Sequence, residues 1–460
     1  MNILFTASEA QPYVASGGLA DVIGSLPKAI NRKGNDCRVV IPLYKSISEK
    51  FRNEIKFLTT ITVDVSWRKQ YCGIFTTERD GVTYYFLDNE YYFFRDGIYG
   101  FHDDCERFVF FSRAVLEMLK YIDFKPDIIN SNDWHTAMIP VYYQIFYKYQ
   151  QEYSNIKNVF TIHNIQYQGK YGREVVNDLM GIPMYHFSLL EYDGCVNMMK
   201  GAIETADKIV TVSPSYAWEI LDSWYSYGLD RILVHKKDKI IGILNGIDSD
   251  LWNPLNDPLI ASGYSSVNIG GKKNCREALL SEIQISEDES PIIGIVTRFV
   301  SHKGIDLIKY AFEELVNDGF KFAVLGSGEK IYEDFFVEMA KRFPERVFVK
   351  TGFDTPLAKR IYAGADMFLM PSQSEPCGLA QMFAMRYGTI PIVRETGGLR
   401  DTVKDNGNKD GNGFTFKTYN ALDMVDALHR AMKIYEDKKE WKNLIKRAME
   451  CDFSWDSSAD

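Results

Sequence analysis

Paired cysteines, long apolar runs and an excess of positive charge are all missing from this chain of 460 residues. Its seven cysteines stand singly at positions 37, 72, 105, 195, 275, 377 and 451. An odd count without paired spacing fits reduced thiols, and a cytoplasmic location is the expectation. No stretch approaches the ~18 unbroken apolar residues that a membrane-spanning helix requires. The opening "MNILFTASEA" carries neither a basic segment nor a long apolar one, so no signal peptide is expected. The formal net charge of −9 argues against broad contact with nucleic acid or an anionic membrane, while leaving room for a local basic pocket.

The usual ligand signatures are missing too. No complete G-x-G-x-x-G follows a strand, and no Walker A loop, H-E-x-x-H or Cys/His cluster occurs. Any phosphate is therefore held outside the usual dinucleotide or P-loop manner, and neither a metal nor a cofactor is expected.

What is present is an ordinary globular composition, 46% hydrophobic and 25% charged, with aromatics raised to 14%. Aromatic faces fill cores and also suit the apolar faces of pyranose rings. Short β-rich runs alternate with amphipathic helical stretches. In the first half these are "NILFTAS", "CRVVIP", "TITVDV", "TYYFLD", "PDIINS", "NVFTIH" and "KIVTVS". In the second they are "PIIGIV", "FKFAVLG", "RVFVK", "MFLMPS" and "TIPIVRE". Strands alternating with helices such as "GIDLIKYAFEELVND" define an α/β protein with parallel sheets covered on both faces. At this length two domains are the prior. The Asn-, Asp-, Gly- and Pro-rich stretch 242–258 divides the chain into 1–241 and 259–460, with a hinge between them. Ligands of such sheets bind beyond the carboxyl ends of the strands.

The candidate residues sit at those ends. Gly17 and Gly18 stand between an apolar strand and a helix, where a glycine pair can take positive φ and a helix start favours negative charge. "NSNDWH" puts Asp133 and His135 after the strand "PDIIN", and "FTIHNIQYQG" repeats the placement with His163. A lone histidine is more often a packing residue; two polar histidine loops at one sheet edge are less easily dismissed. In the second half Arg298 follows a strand, with Lys303 five residues on, a pair suited to clamp an anion. "LGSGEK" offers another glycine turn with Gly326. In "PSQSEPCGLAQ", Glu375 precedes a helix start at Gly378 and Leu379, whose free amides suit a diphosphate. Cys377 has no histidine partner in view and reads as packing.

Taken in order, "SGGLADVIGSLPKA", "NDWH", "FTIHNIQYQG", "VSPSYAWEI", "NGID", "TRFVSHKG", "PSQSEPCGL" and "RETGGLRDTV" resemble the bacterial glycogen synthase and plant starch synthase family over residues 2 to about 456. The resemblance implies a GT-B fold, two Rossmann-like, doubly wound domains facing a deep cleft. It implies a retaining transfer of glucose from ADP-glucose to the non-reducing end of an α-1,4-glucan. Arg298 and Lys303 match the pair holding the donor diphosphate, Glu375 the carboxylate near the donor glucose, and His163 the histidine beside the transferring sugar. Gly378 and Leu379 should lie by sugar and phosphate, and Phe353, in "TGF", by the base. Asp133, His135 and Tyr99, in "IYG", match the acceptor side. Where family members carry Lys-x-Gly-Gly, this chain has Ala15, so the backbone cradle stands without its charge. Loss of such a contact is worth roughly 1.5–3 kcal/mol if uncompensated. That departure keeps two other readings open, a UDP-glucose-dependent transferase and a weakly active glucan-binding protein. The segment "DFSWDSSAD" matches the start of a helix that, in the family, packs back on the first domain.

Overall fold

The computed structural model describes residues 1–408 and 410–460. They form two compact units, one of Met1–Gly246 with Trp455–Asp460 and one of Ile247–Ser454.

The first unit is built on twelve strands: β1 (Asn2–Thr6), β2 (Asp36–Pro42), β3 (Lys56–Val65), β4 (Arg68–Arg79), β5 (Val82–Asp88), β6 (Ile128–Asn132), β7 (Lys157–Ile162), β8 (Lys170–Tyr171), β9 (Glu191–Tyr192), β10 (Cys195–Asn197), β11 (Lys208–Thr211) and β12 (Ile240–Gly242). Nine of them make one sheet in the order β12-β11-β7-β6-β1-β2-β5-β4-β3, and β8, β10 and β9 make a small second one. The large sheet is parallel from β12 to β5, where Leu4, Val39, Ile129 and Phe160 are buried. It is not wholly parallel, as the alternation of elements implied. β4 runs antiparallel to both β3 and β5, because Ser66-Trp67 and Asp80-Gly81, with Ser66, Asp80 and Gly81 at positive φ, turn the chain back in two two-residue hairpins. The helix Gly18–Arg32 lays Leu19, Val22, Ile23 and Ala29 toward the core. Trp455, in the last short helix, is buried against Val22 and Ala29, with Leu26 and Ala459 packed around them. Arg32 donates to Asp456 at 2.7 Å alongside.

The second unit holds β13 (Ile292–Phe299), β14 (Lys321–Gly328), β15 (Val347–Thr351), β16 (Met367–Met370), β17 (Ile390–Arg394) and β18 (Phe414–Phe416). The sheet is parallel throughout, in the order β15-β14-β13-β16-β17-β18. This is the doubly wound order that starts in the middle and builds outward in both directions. Of the stretch 242–258, Gly242 closes β12, while the residues from Ile247 onward pack in the second unit. There Trp252 stacks on Phe383 at 3.7 Å and Asp257 pairs with Lys359 at 2.9 Å.

Candidate functional site

In each sheet the strand order reverses beside the first strand, and the gap outside the carboxyl ends there is where such sheets bind ligands. In the first unit the reversal falls between β1 and β6. β1 leads to Ser8, Glu9 and the glycine loop; β6 leads to Asp133 and His135; neighbouring β7 leads to His163.

These three segments meet. The Asp133 carboxylate accepts the backbone N–H of His163 at 2.8 Å and of Asn164 at 3.3 Å. Asp133 itself sits at φ 57, a conformation costly for a residue with a Cβ. Burial pushes its carboxyl up to about 7, against the opposing pull of those two N–H groups. Burial holds the His163 imidazole down to about 3, so it is neutral near pH 7. Its Nε2 lies 2.8 Å from Asn132 Oδ1. Asn132 Nδ2 is already donating to Thr6 O and to both oxygens of Asn130, so Oδ1 is the accepting side and His163 carries its proton on Nε2. His135 is buried in an aromatic box, stacked on Tyr99 at 4.5 Å and against Trp134 and Phe108. Burial, then the charge of Arg107, holds it at about 3, and its Nδ1 has no hydrogen-bond partner among the described residues. The Tyr99 hydroxyl lies 2.7 Å from Ser8 Oγ.

Gly17 and Gly18 are exposed, but the expected positive φ does not occur. Gly17 is extended, at φ −166 and ψ −166. The chain reverses earlier, where Ala10 and Val14 form a bridge and the buried Tyr13 wedges among Phe51, Tyr84 and Phe86. A Cβ at Gly17 would meet nothing within 4 Å among the described residues, so internal packing does not require a glycine there. The loop is steadied by Glu9, a buried carboxylate that accepts the Ser16 N–H. Burial raises its pKa, Ser16 opposing. Glu9 and Asn132 are positioning groups missed by the sequence reading; the signal for Glu9 was a lone acid closing an apolar strand.

In the second unit the reversal falls between β13 and β16, and Arg298, Lys303 and Glu375 flank it. Arg298, at the end of β13, is exposed and has no ion-pair partner among the described residues. Gly304 turns at φ 74, where a Cβ would stand 2.1 Å from Pro371 O; only glycine lets this loop close on the end of β16. The closure brings Lys303 Nζ to 2.5 Å from Glu375 Oε2, which Ser372 Oγ also approaches at 3.1 Å. Both charged side chains are largely covered, at 15% and 8% exposure.

Gly378, at φ 71, turns the chain just before the helix Ala380–Arg386, with Leu379 at its cap. The buried Gln381 holds this turn by donating to Gly378 O at 2.8 Å and Cys377 O at 3.2 Å. Gly398 N donates to Glu375 O at 3.1 Å, and a Cβ on Gly397 would lie 1.9 Å from that same oxygen. The "ETGGLRD" glycines thus serve to let one turn rest on another. Cys377 is buried. Gly326 is not in a turn, as "LGSGEK" suggested. It lies inside β14, opposite Thr297, where a Cβ would be 2.0 Å from Thr297 O. Phe353 is 94% exposed, beyond edge strand β15, two strands away from Arg298. Among the described residues no group of three His, Cys, Asp or Glu is placed to hold a metal, and no helix is long and apolar enough to cross a membrane.

Residues 2–235 match the starch synthase catalytic domain, and residues 278–448 match the glycosyl transferases of group 1. Two doubly wound units carrying these matches define a glycosyltransferase of the GT-B fold. The chain is 48% identical to the glycogen synthase of Anoxybacillus flavithermus, over 100% of its own length and 96% of that protein. It is 47% identical to a Bacillus cereus glycogen synthase, over 100% and 98%. It is also similar to the catalytic domain of Arabidopsis thaliana starch synthase IV, solved with ADP and acarbose, at TM-score 0.91 and 34% identity over 99% and 97% of the two chains. The chain belongs to the glycogen synthase and starch synthase family.

Proposed function

We propose that this protein transfers glucose from ADP-glucose to the non-reducing end of an α-1,4-glucan, with retention of configuration. The observation that carries the reading is the Lys303–Glu375 pair at the strand-order reversal of the second unit, with Arg298, which has no ion-pair partner among the described residues, at the end of β13. Departure of a nucleoside diphosphate develops negative charge. Two cations, with the amides at Gly378 and Leu379, stabilise it without a metal. In the resting site Glu375 holds the Lys303 ammonium in place; with donor bound, Lys303 turns to phosphate and Glu375 to a hydroxyl of the glucose. Gly326 and Phe353 complete the donor side, Phe353 against the base.

On the other side His163, neutral and with its Nε2 proton committed to Asn132, offers its remaining acceptors to the transferring sugar. Gly17 and Gly18 bring backbone to the donor, and Asp133, His135 and Tyr99 serve the acceptor. The C1–O bond to phosphate breaks as the acceptor hydroxyl attacks from the same face, its proton passing to the departing phosphate oxygen. Trapping of a glucosyl group on any side chain would refute this route. The single, scattered spacing of the seven cysteines in the sequence supports a cytoplasmic setting.

The test is transfer of labelled glucose to glycogen from ADP-glucose and from UDP-glucose in parallel. Incorporation from ADP-glucose supports the reading and shows Ala15 to be tolerated. A preference for UDP-glucose keeps the chemistry and overturns the donor. Binding of glycogen with transfer from neither overturns the enzyme.

A further inference from the structure

The loop that follows β7 does more than present His163. After Asn164, whose N–H holds Asp133, the loop is tied down at several points. Ile165 N donates to the buried Tyr216 hydroxyl at 3.1 Å, and Tyr167 N reaches Asn164 O at 3.4 Å. Gly169 brings the loop hard against Trp134; a Cβ there would be 2.6 Å from the indole. Between these points the buried Gln168 acts as a brace. Its Oε1 accepts from Asn197 at 2.7 Å. Its Nε2 donates both to Ile165 O at 3.0 Å and across to Tyr227 O at 3.2 Å.

Tyr227 belongs to a separate loop, after the helix Pro214–Glu219, and stands at φ 50 just before Gly228 at φ 91. A bulky residue is a poor choice for left-handed backbone, and core packing does not explain it, because Tyr227 is 44% exposed and Tyr167 51%. Gln168, the residue after Tyr167, reaches Tyr227 O at 3.2 Å, so the backbones that carry the two phenols are tied together by one side chain. The result is a pair of exposed aromatic rings on loops fixed to each other and to the Asp133–His163 constellation.

We propose that Tyr167 and Tyr227 form a platform, continuous with the acceptor side of the site, on which glucose units of a long α-1,4-glucan rest. The inference builds on the proposed function, since Asp133, His135 and Tyr99 there receive the glucan end. Pyranose rings present C–H faces that pack on tyrosine rings, and the phenols offer hydrogen bonds to sugar hydroxyls. A rigid pair of rings beside the reacting end would engage units that only longer acceptors possess. The enzyme would therefore prefer long chains without any change in its chemistry.

The experiment compares wild type with Tyr167→Ala and Tyr227→Asn, asparagine being tolerant of left-handed backbone. Initial rates are measured with maltotriose, maltoheptaose and glycogen, and maltoheptaose binding is measured by calorimetry. Each variant should raise the KM for maltoheptaose about 3- to 10-fold, the equivalent of ~0.5–1.5 kcal/mol of aromatic contact. The KM for maltotriose should barely move, and Tyr227→Phe should restore wild-type values. An equal change for all acceptors, or none for any, overturns the platform. If wild type transfers to no acceptor, the proposed function falls, and the binding isotherms still decide. Weaker maltoheptaose binding by the variants upholds the platform, and unchanged binding refutes it.

Discussion

Replacing Lys303 by methionine separates what the Lys303–Glu375 pair does for the fold from what it does for the reaction. Methionine keeps the length of the stem and removes the ammonium, leaving the Glu375 carboxylate, 8% exposed, with Ser372 Oγ at 3.1 Å. Breaking a fully buried pair costs about 3–5 kcal/mol. Here the lysine side chain keeps 15% exposure and the serine remains, so about 2–3 kcal/mol is the expectation. For a domain of about 200 residues, each kcal/mol lowers Tm by ~2–4 °C, giving a drop of roughly 5–10 °C. The double variant Lys303→Met, Glu375→Gln removes the stranded charge and should recover most of that loss. Activity should recover in neither, staying about 100- to 1,000-fold down, as when one donor to a developing oxyanion is removed. Calorimetry and the glucose-transfer assay on the two variants give the four numbers required. A single variant that melts with wild type, or a double variant no more stable than the single, refutes the stranded-charge argument. Full activity in either removes Lys303 from the donor site.

Other outcomes follow from the same geometry. The Asp133 carboxyl is raised from its ordinary value to about 7. The folded state therefore holds a proton that the unfolded chain has released, and stability falls as pH rises from about 4 to 7, by up to roughly 4 kcal/mol. In urea unfolding at pH 5 and pH 8, Asp133→Asn should lose this slope; an unchanged slope would be evidence against it. His135 and His163, both held near 3, act in the opposite sense, with stability lost as pH falls below about 6.5 while the unfolded chain takes up the protons. Trp455→Ala should cost about 3–5 kcal/mol through the cavity left against Val22 and Ala29. Arg32→Ala, which removes the exposed pair with Asp456, should cost under ~1 kcal/mol in the same unfolding measurement. Cys377→Ala should retain glucose transfer, because Cys377 is buried under the glycine turns; an inactive but folded variant would contradict its reading as packing.

Much of the fold was legible because parallel strands buried on both faces are short and continuously apolar. "PIIGIV", "MFLMPS" and "NVFTIH" are all strands in the structure. β4 escaped because "RKQYCGIFTTER" is half exposed and polar along much of its length. The Asp80-Gly81 pair between it and β5 is the local signal that points to it. Among the site residues, Lys303 and Glu375 lie 72 positions apart in sequence and 2.5 Å apart in space. A motif fixes their types, and the sheet order brings them together. Gly326 shows the reverse. A glycine next to a candidate phosphate loop looks like a turn, yet its absence of a side chain is demanded by the neighbouring strand. Glu9, Asn132 and Gln168 were overlooked because they hold backbone and partner side chains, and such work depends on three-dimensional neighbours that spacing does not encode.

The return of Trp455–Asp460 to the first unit orders events during synthesis. The first unit has its sheet by residue 246, but the helix Gly18–Arg32 keeps an uncovered apolar face until the tryptophan that caps it is made, more than four hundred residues later. Everything between Ile247 and Ser454 is, from the viewpoint of the first unit, a single very long insertion. A ribosome that stalls anywhere within it leaves a nascent chain with a nearly complete sheet and one exposed helix face. Only once Trp455 has been made can that face be covered and the first unit closed.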